Sequence, residues 1–108
     1  MAVKVVALVS VNEDEPMALA HYFRVTTPLL EDVGARIVQR FNVNEVVVGH
    51  RPAKSLIVVE YPDKQAVERV FQSAEYRAVT AIRDRAFSEY SISVVADAEA
   101  VEKPLIEA

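Results

Sequence analysis

A chain of 108 residues has room for one domain around one modest core, and its 52% hydrophobic content leaves more apolar surface than a single small subunit easily hides. A net charge of -4 opposes binding to nucleic acid or to an anionic membrane surface, because neutralising phosphates requires a basic patch. The absence of cysteine excludes disulfides, thiolate catalysis and thiolate metal ligation. The first residues lack the basic segment and long apolar stretch of a secretory signal, and no apolar run approaches the roughly 18 residues of a membrane span, so a cytoplasmic protein is expected.

In chain order, Val3 to Val11 reads as a strand that is apolar on both faces, with Val3, Val5, Ala7 and Val9 on one and Val6 and Leu8 on the other. Asn12 to Pro16 is a turn whose acids and proline suit a helix start. A first helix is expected from Pro16, with Leu19, Phe23, Leu30 and Val33 at helical spacing, a kink or break at Pro28, and Gly34 as its C-terminal stop. Ala35 to Phe41 alternates as a second strand, with Arg36, Val38 and Arg40 on one face. Val46 to Val48 reads as a resumption of extended structure, and Gly49-His50-Arg51-Pro52 as a turn. A third strand opens at Leu56 and ends at Pro62, and Asp63 can cap the helix that holds Ala66, Val67, Val70 and Phe71. Ser73 can cap one further helical segment from Ala74 to about Arg85, and Glu89 to Ala96 alternates as the last strand.

The order β-α-β-β-α-β predicts an α+β, ferredoxin-like fold with helices on one face of an antiparallel sheet. The other face needs a cover, and a homodimer packed sheet face to sheet face, a dimeric α/β barrel, supplies one. The domain is expected over residues 1–97, with 98–108 as an acidic tail. The chain contains neither an internal repeat nor a low-complexity tract.

Several residues also carry a family resemblance. Tyr22 in helix one, Gly34 and Arg36 opening strand two, Arg40 further along it, Glu60-Tyr61-Pro62, Ser73-Ala74-Glu75-Tyr76 and the downstream Arg83 resemble the DUF1330 family, a branch of the dimeric α/β barrel superfamily. The resemblance runs from about Val5 to Asp97. It departs at Ala35, where a second glycine is usual, at Ala74, where proline is usual, and at Val70-Phe71, where a tryptophan-tyrosine pair is common. It implies a fold and a dimer rather than a reaction.

The candidate site follows from residue chemistry. Arg36 and Arg40 on one strand face could together grip a carboxylate or enolate, or pair with acids such as Glu60. Tyr22 and Tyr76 can offer phenolic donors to a ligand oxygen or serve as packing with satisfied hydroxyls. Arg83 can reach Tyr76 along a helix face, brace that junction or bridge subunits. Glu60 is the candidate proton acceptor, its role turning on whether burial or an arginine partner dominates its surroundings. Neither His21 nor His50 has a second histidine at metal-ligand spacing, so no metal and no cofactor are expected, haem ligation at either being the residual alternative. His21 is expected to be exposed, displaced from the core side by Tyr22 and Phe23. Two functions compete: a homodimeric small-molecule-binding protein, with enzymatic action on a small carbonyl or aromatic acid, and a non-enzymatic structural or metabolite-sensing dimer. A DNA-linked sensor is disfavoured by the lack of a helix-turn-helix segment.

Overall fold

The computed structural model describes residues 2–96; the expected tail lies outside the described residues. Strand β1 (Val3–Val11) leads to helix α1 (Pro16–Asp32), then strands β2 (Arg36–Asn42) and β3 (Ser55–Tyr61). Three short helices follow, α2 (Lys64–Phe71), α3 (Ala74–Ala78) and α4 (Thr80–Ala86), before strand β4 (Phe87–Val95). The sheet order is β2-β3-β1-β4 with every neighbouring pair antiparallel. This is the expected α+β, ferredoxin-like arrangement, with one sheet and one layer of helices.

Local chemistry sets most boundaries. The Asp63 carboxylate accepts from Ala66 N at 2.7 Å and opens α2; Ser73 Oγ accepts from Tyr76 N at 3.0 Å and opens α3. Gly34 ends α1 at φ +76, with Gly34 N donating to Glu31 O and Ala35 N to Leu30 O, the paired bonds of a Schellman stop. Of the kink or break expected at Pro28, the break is absent: α1 continues through it to Asp32. Pro28 and Arg24 both face solvent, where water can bond the Arg24 carbonyl that the ring leaves without a donor, while Val25, Leu29 and Leu30 pack against the core. The segment expected as one helix from Ala74 to Arg85 divides at Val79, whose backbone leaves helical geometry at φ -109, ψ 10. Val46 to Val48 form no strand: with no partner strand beside them they lie in the β2–β3 loop, and Val47 and Val48 are almost fully exposed.

The register defines two faces. Val5, Ala7 and Val9 of β1, Val59 and Tyr61 of β3, and Tyr90 and Ile92 of β4 turn toward the helices, and with Tyr22, Val70, Tyr76 and Phe87 they form the core. Lys4, Val6 and Leu8, Leu56, Val58 and Glu60, and Ser91, Ser93 and Val95 turn to the other face, which no element of the described chain covers. The chain is accordingly only 18 Å deep along its shortest axis. Ser10 is buried at the end of the β1–β3 ladder, and its hydroxyl donates to Glu89 and accepts from Lys54 N at 2.9 Å. Among the described residues no buried side-chain nitrogen or oxygen lacks a partner.

Candidate functional site

A β-bulge decides which polar side chains can meet. Across β2 and β3, Arg36 pairs with Glu60 and Ile37 with Val59, but the next pair is Gln39 with Val58 and then Arg40 with Ile57, leaving Val38 as the extra residue. Strand alternation therefore restarts at Val38. Arg36 falls on the bare face and Arg40 on the helix-covered face, which corrects the expectation that the two arginines share a face. On the bare face Arg36 Nη2 lies 2.9 Å from Glu60 Oε1, an ion pair that also removes Glu60 from the interior.

Between the sheet and the helices lies a cavity of about 360 Å³. Its floor is apolar: Ile57, Ala7 and Ile92 form one straight cross-strand row, flanked by Val5, Val59 and Ile37 on one side and Val9 on the other. Ala7, the smallest of these, leaves space at the centre. Helix α1 contributes Tyr22, Thr26 and Leu30 to the wall, and Val70, Phe71 and Tyr76 close it from α2 and α3. All four tyrosines of the chain line this one space.

Three of their hydroxyls form a triangle. Tyr22 Oη bonds Tyr90 Oη, Tyr76 Oη lies 2.9 Å from Tyr90 Oη, and the Tyr22–Tyr76 link is the longest at 3.2 Å. Each residue comes from a different element, α1, α3 and β4. Tyr22 reaches the centre because Ala18, Tyr22 and Thr26, four residues apart, are the fully buried stripe of α1, whereas Phe23 is half exposed. Tyr22 makes edge-on contacts with the rings of Tyr76, Phe87 and Tyr90 at centroid distances of 6.2, 5.3 and 6.0 Å. Arg83 backs the cluster: Nη1 donates to Tyr76 Oη at 3.4 Å, and its guanidinium lies 5.1 Å from the Tyr90 ring centroid. Asp84 holds the same guanidinium from the outer side at 3.1 Å.

Burial pushes the Tyr22 and Tyr90 phenols well above the ordinary phenol range, with the neighbouring Tyr90 hydroxyl adding to the effect on Tyr22. Tyr61 is pushed up to about 12, again by burial first and by Tyr76 second. These groups therefore donate and accept hydrogen bonds at neutral pH and are not bases. The triangle contains three protons and three links, so it is satisfied when each hydroxyl donates to the next around the ring.

Of the residues singled out from sequence, Tyr22, Tyr76 and Arg83 meet in one cluster, and Arg40 lines the same cavity. Arg36 and Glu60 do not. His21 and His50 are both exposed, and among the described residues no three histidine or acidic side chains gather as metal ligands. Tyr90 was not singled out, although its inward position in the alternation of the last strand was the available signal.

The described helices include none long and apolar enough to cross a membrane. No curated protein matches the chain in sequence. Among solved structures it is similar to RPA0582, a protein of unknown function from Rhodopseudomonas palustris, at 18% identity and a TM-score of 0.74 over 92% of this chain and 84% of that one. It is also similar to SnoaB, a cofactor-independent oxygenase from Streptomyces nogalater, at 11% identity and a TM-score of 0.58 over 94% and 98% of the two chains. A dimeric protein of unknown function and ferredoxin-like fold from Bacteroides fragilis matches at 12% identity and a TM-score of 0.52 over 87% and 94%. At such identities these likenesses speak to the fold. The DUF1330 domain of unknown function matches residues 4–98, nearly all of the described chain, and the protein belongs to that family.

Proposed function

We propose that this is a homodimeric small-molecule-binding protein, whose cavity between sheet and helices holds a small carbonyl or aromatic acid compound. The observation that carries this reading is the combination of an apolar cavity with a cluster of convergent hydroxyls, the pattern of a ligand site in which a few polar groups fix orientation. At about 30 Å³ per water, the cavity volume equals roughly a dozen waters, enough for a substituted aromatic ring. Tyr22, Tyr76 and Tyr90 would meet a ligand oxygen, and Arg83 behind them strengthens donation from Tyr76. The lining residues include no carboxylate, imidazole or thiol, and the buried phenols stay protonated. Binding with polarisation of a ligand oxygen therefore fits the site better than proton abstraction, and Glu60 on the other face is too far removed in the fold to serve as its base.

The dimer is supported by the bare sheet face, where Val6, Leu8, Leu56 and Val58 make an apolar centre between the Lys4–Glu60–Arg36 charges and the serines of β4. Covering that centre with its own copy removes apolar area from water on both subunits. Ala7 and Leu8 are neighbours that face opposite sides of the sheet, so they separate the two claims. Ala7→Leu fills the cavity floor and is expected to abolish binding of benzoate or phenol, measured by calorimetry, while the protein still sediments as a dimer. Leu8→Glu is expected to yield a folded species of 12.0 kDa. Ligand affinity unchanged by Ala7→Leu would remove the cavity as the site, and a monomeric wild-type protein would remove the dimer.

A further inference from the structure

The cavity is polar at two ends and apolar between them. One end is the tyrosine triangle beside β4, with Arg83 behind it. The other is Arg40 on β2, exposed at the mouth, with no described carboxylate within ion-pair distance. In the sheet order β2 and β4 are the two edges, three strand spacings or roughly 14 Å apart. Arg40, Ile57, Ala7 and Ile92 are consecutive members of one cross-strand row, and Tyr90 lies two residues before Ile92 on the same face. The apolar floor thus runs directly from the guanidinium to the hydroxyls.

We infer that the ligand is an elongated aromatic acid that bridges these ends, with its carboxylate on Arg40 and a hydroxyl or carbonyl oxygen on the tyrosine triangle. This rests on the cavity being the ligand site. An arginine and a tyrosine reaching inward from opposite edges shorten the gap to the length of a ring carrying a short unsaturated side chain. Charge sets the direction. In a chain of net charge -4, the cavity is lined by one guanidinium and no acid, so an anionic group belongs at Arg40. Proton count sets the other end. The triangle's three protons are engaged in its three links, and Tyr90 is the member that stands on the sheet beside the apolar floor, so an incoming oxygen displaces one of the two links Tyr90 makes and bonds the Tyr90 hydroxyl. The same oxygen, if it is a hydroxyl, donates to a hydroxyl lone pair the ring leaves unused.

Calorimetry with 4-hydroxycinnamate, cinnamate and 4-hydroxycinnamamide tests this on the wild-type protein, Arg40→Gln and Tyr90→Phe. Arg40 is exposed, so Arg40→Gln is expected to melt with the wild type, and Tyr90→Phe, which keeps the Tyr22–Tyr76 link, is expected to stay folded and melt about 4–8 °C lower. Wild-type protein is expected to bind 4-hydroxycinnamate at least about tenfold more tightly than either analogue, each of which lacks one charge-assisted or buried hydrogen bond. Arg40→Gln should erase the preference for acid over amide and keep the preference for the hydroxyl; Tyr90→Phe should do the reverse. An acid preference that survives Arg40→Gln, or two preferences that disappear together in one variant, overturns the inference. Equal binding of all three compounds overturns it and leaves the cavity as a binding site. If none of the three binds, the inference is overturned, and failure of plain phenol to bind as well takes the reading of the cavity with it.

Discussion

On the helix-covered face of the sheet the polar groups are few, mostly buried and mostly phenolic; on the bare face they are charged and exposed. Tyr22 and Tyr76 are 5% and 4% accessible and bonded to one another, whereas Arg36 opposite Glu60 keeps 72% of its side chain in solvent. The strands are the same four, and alternation alone distributes their residues between these environments. Alternation is interrupted at two places, Ser88 on β4 and Val38 on β2, and the second is the place that separates the two arginines of β2. One becomes a surface ion-pair partner and the other a cavity residue. Residue type and sequence spacing are thus weak guides to role on a bulged strand, and register is a strong one.

The contrast can be broken most severely at Tyr22. Its replacement by alanine removes an aromatic that touches four other rings and opens a hole beside the cavity, with an expected loss of about 3–5 kcal/mol. That is a large part of the roughly 5–15 kcal/mol available to a small domain, and urea denaturation would show it. Tyr22→Phe should cost about 1 kcal/mol, because the Tyr76–Tyr90 bond survives.

A smaller effect is expected at alkaline pH. The Tyr61 phenol is pushed above the ordinary value of about 10 to about 12, and Tyr22 and Tyr90 are raised in the same direction. A raised phenol favours the neutral form in the folded state. Its contribution to stability is complete below pH 10 and declines as pH rises toward the folded value. Phenolate absorbance followed against pH should therefore lag behind free tyrosine, and loss of folded structure by circular dichroism should accompany its rise. Normal titration of Tyr22, Tyr61 and Tyr90 in a folded protein would contradict their burial.

The smallest effect is expected on the bare face. Arg36→Ala should change the stability of the monomer by less than about 1 kcal/mol, the range of exposed ion pairs, and leave ligand affinity unaltered. A loss of ligand binding in that variant, with Arg40→Gln silent, would reverse the assignment of the two arginines.

Much of the architecture is legible locally. The period-two pattern of Val3 to Val9, the Asp63 and Ser73 caps and the Gly34 stop each depend on residues within a few positions of one another, and each acts in the structure as its chemistry predicts. What the chain conceals depends on partners distant in sequence. The bulge at Val38 exists only in relation to β3, and the continuity of α1 through Pro28 depends on solvent on one side and core packing on the other. The three valines after Glu45 have the composition of a strand but no neighbour to pair with. The site is divided in the same way: Tyr76 and Arg83 are a helical-spacing pair visible in sequence, while the meeting of Tyr22 with Tyr90 requires the first helix and the last strand to be brought together.

The central claim is that one face of the sheet holds a ligand and the other meets a second copy. Native mass spectrometry of the wild-type protein with 4-hydroxycinnamate tests both halves in one spectrum. The account predicts a dimer carrying one ligand per subunit; a bare monomer across the titration would contradict it.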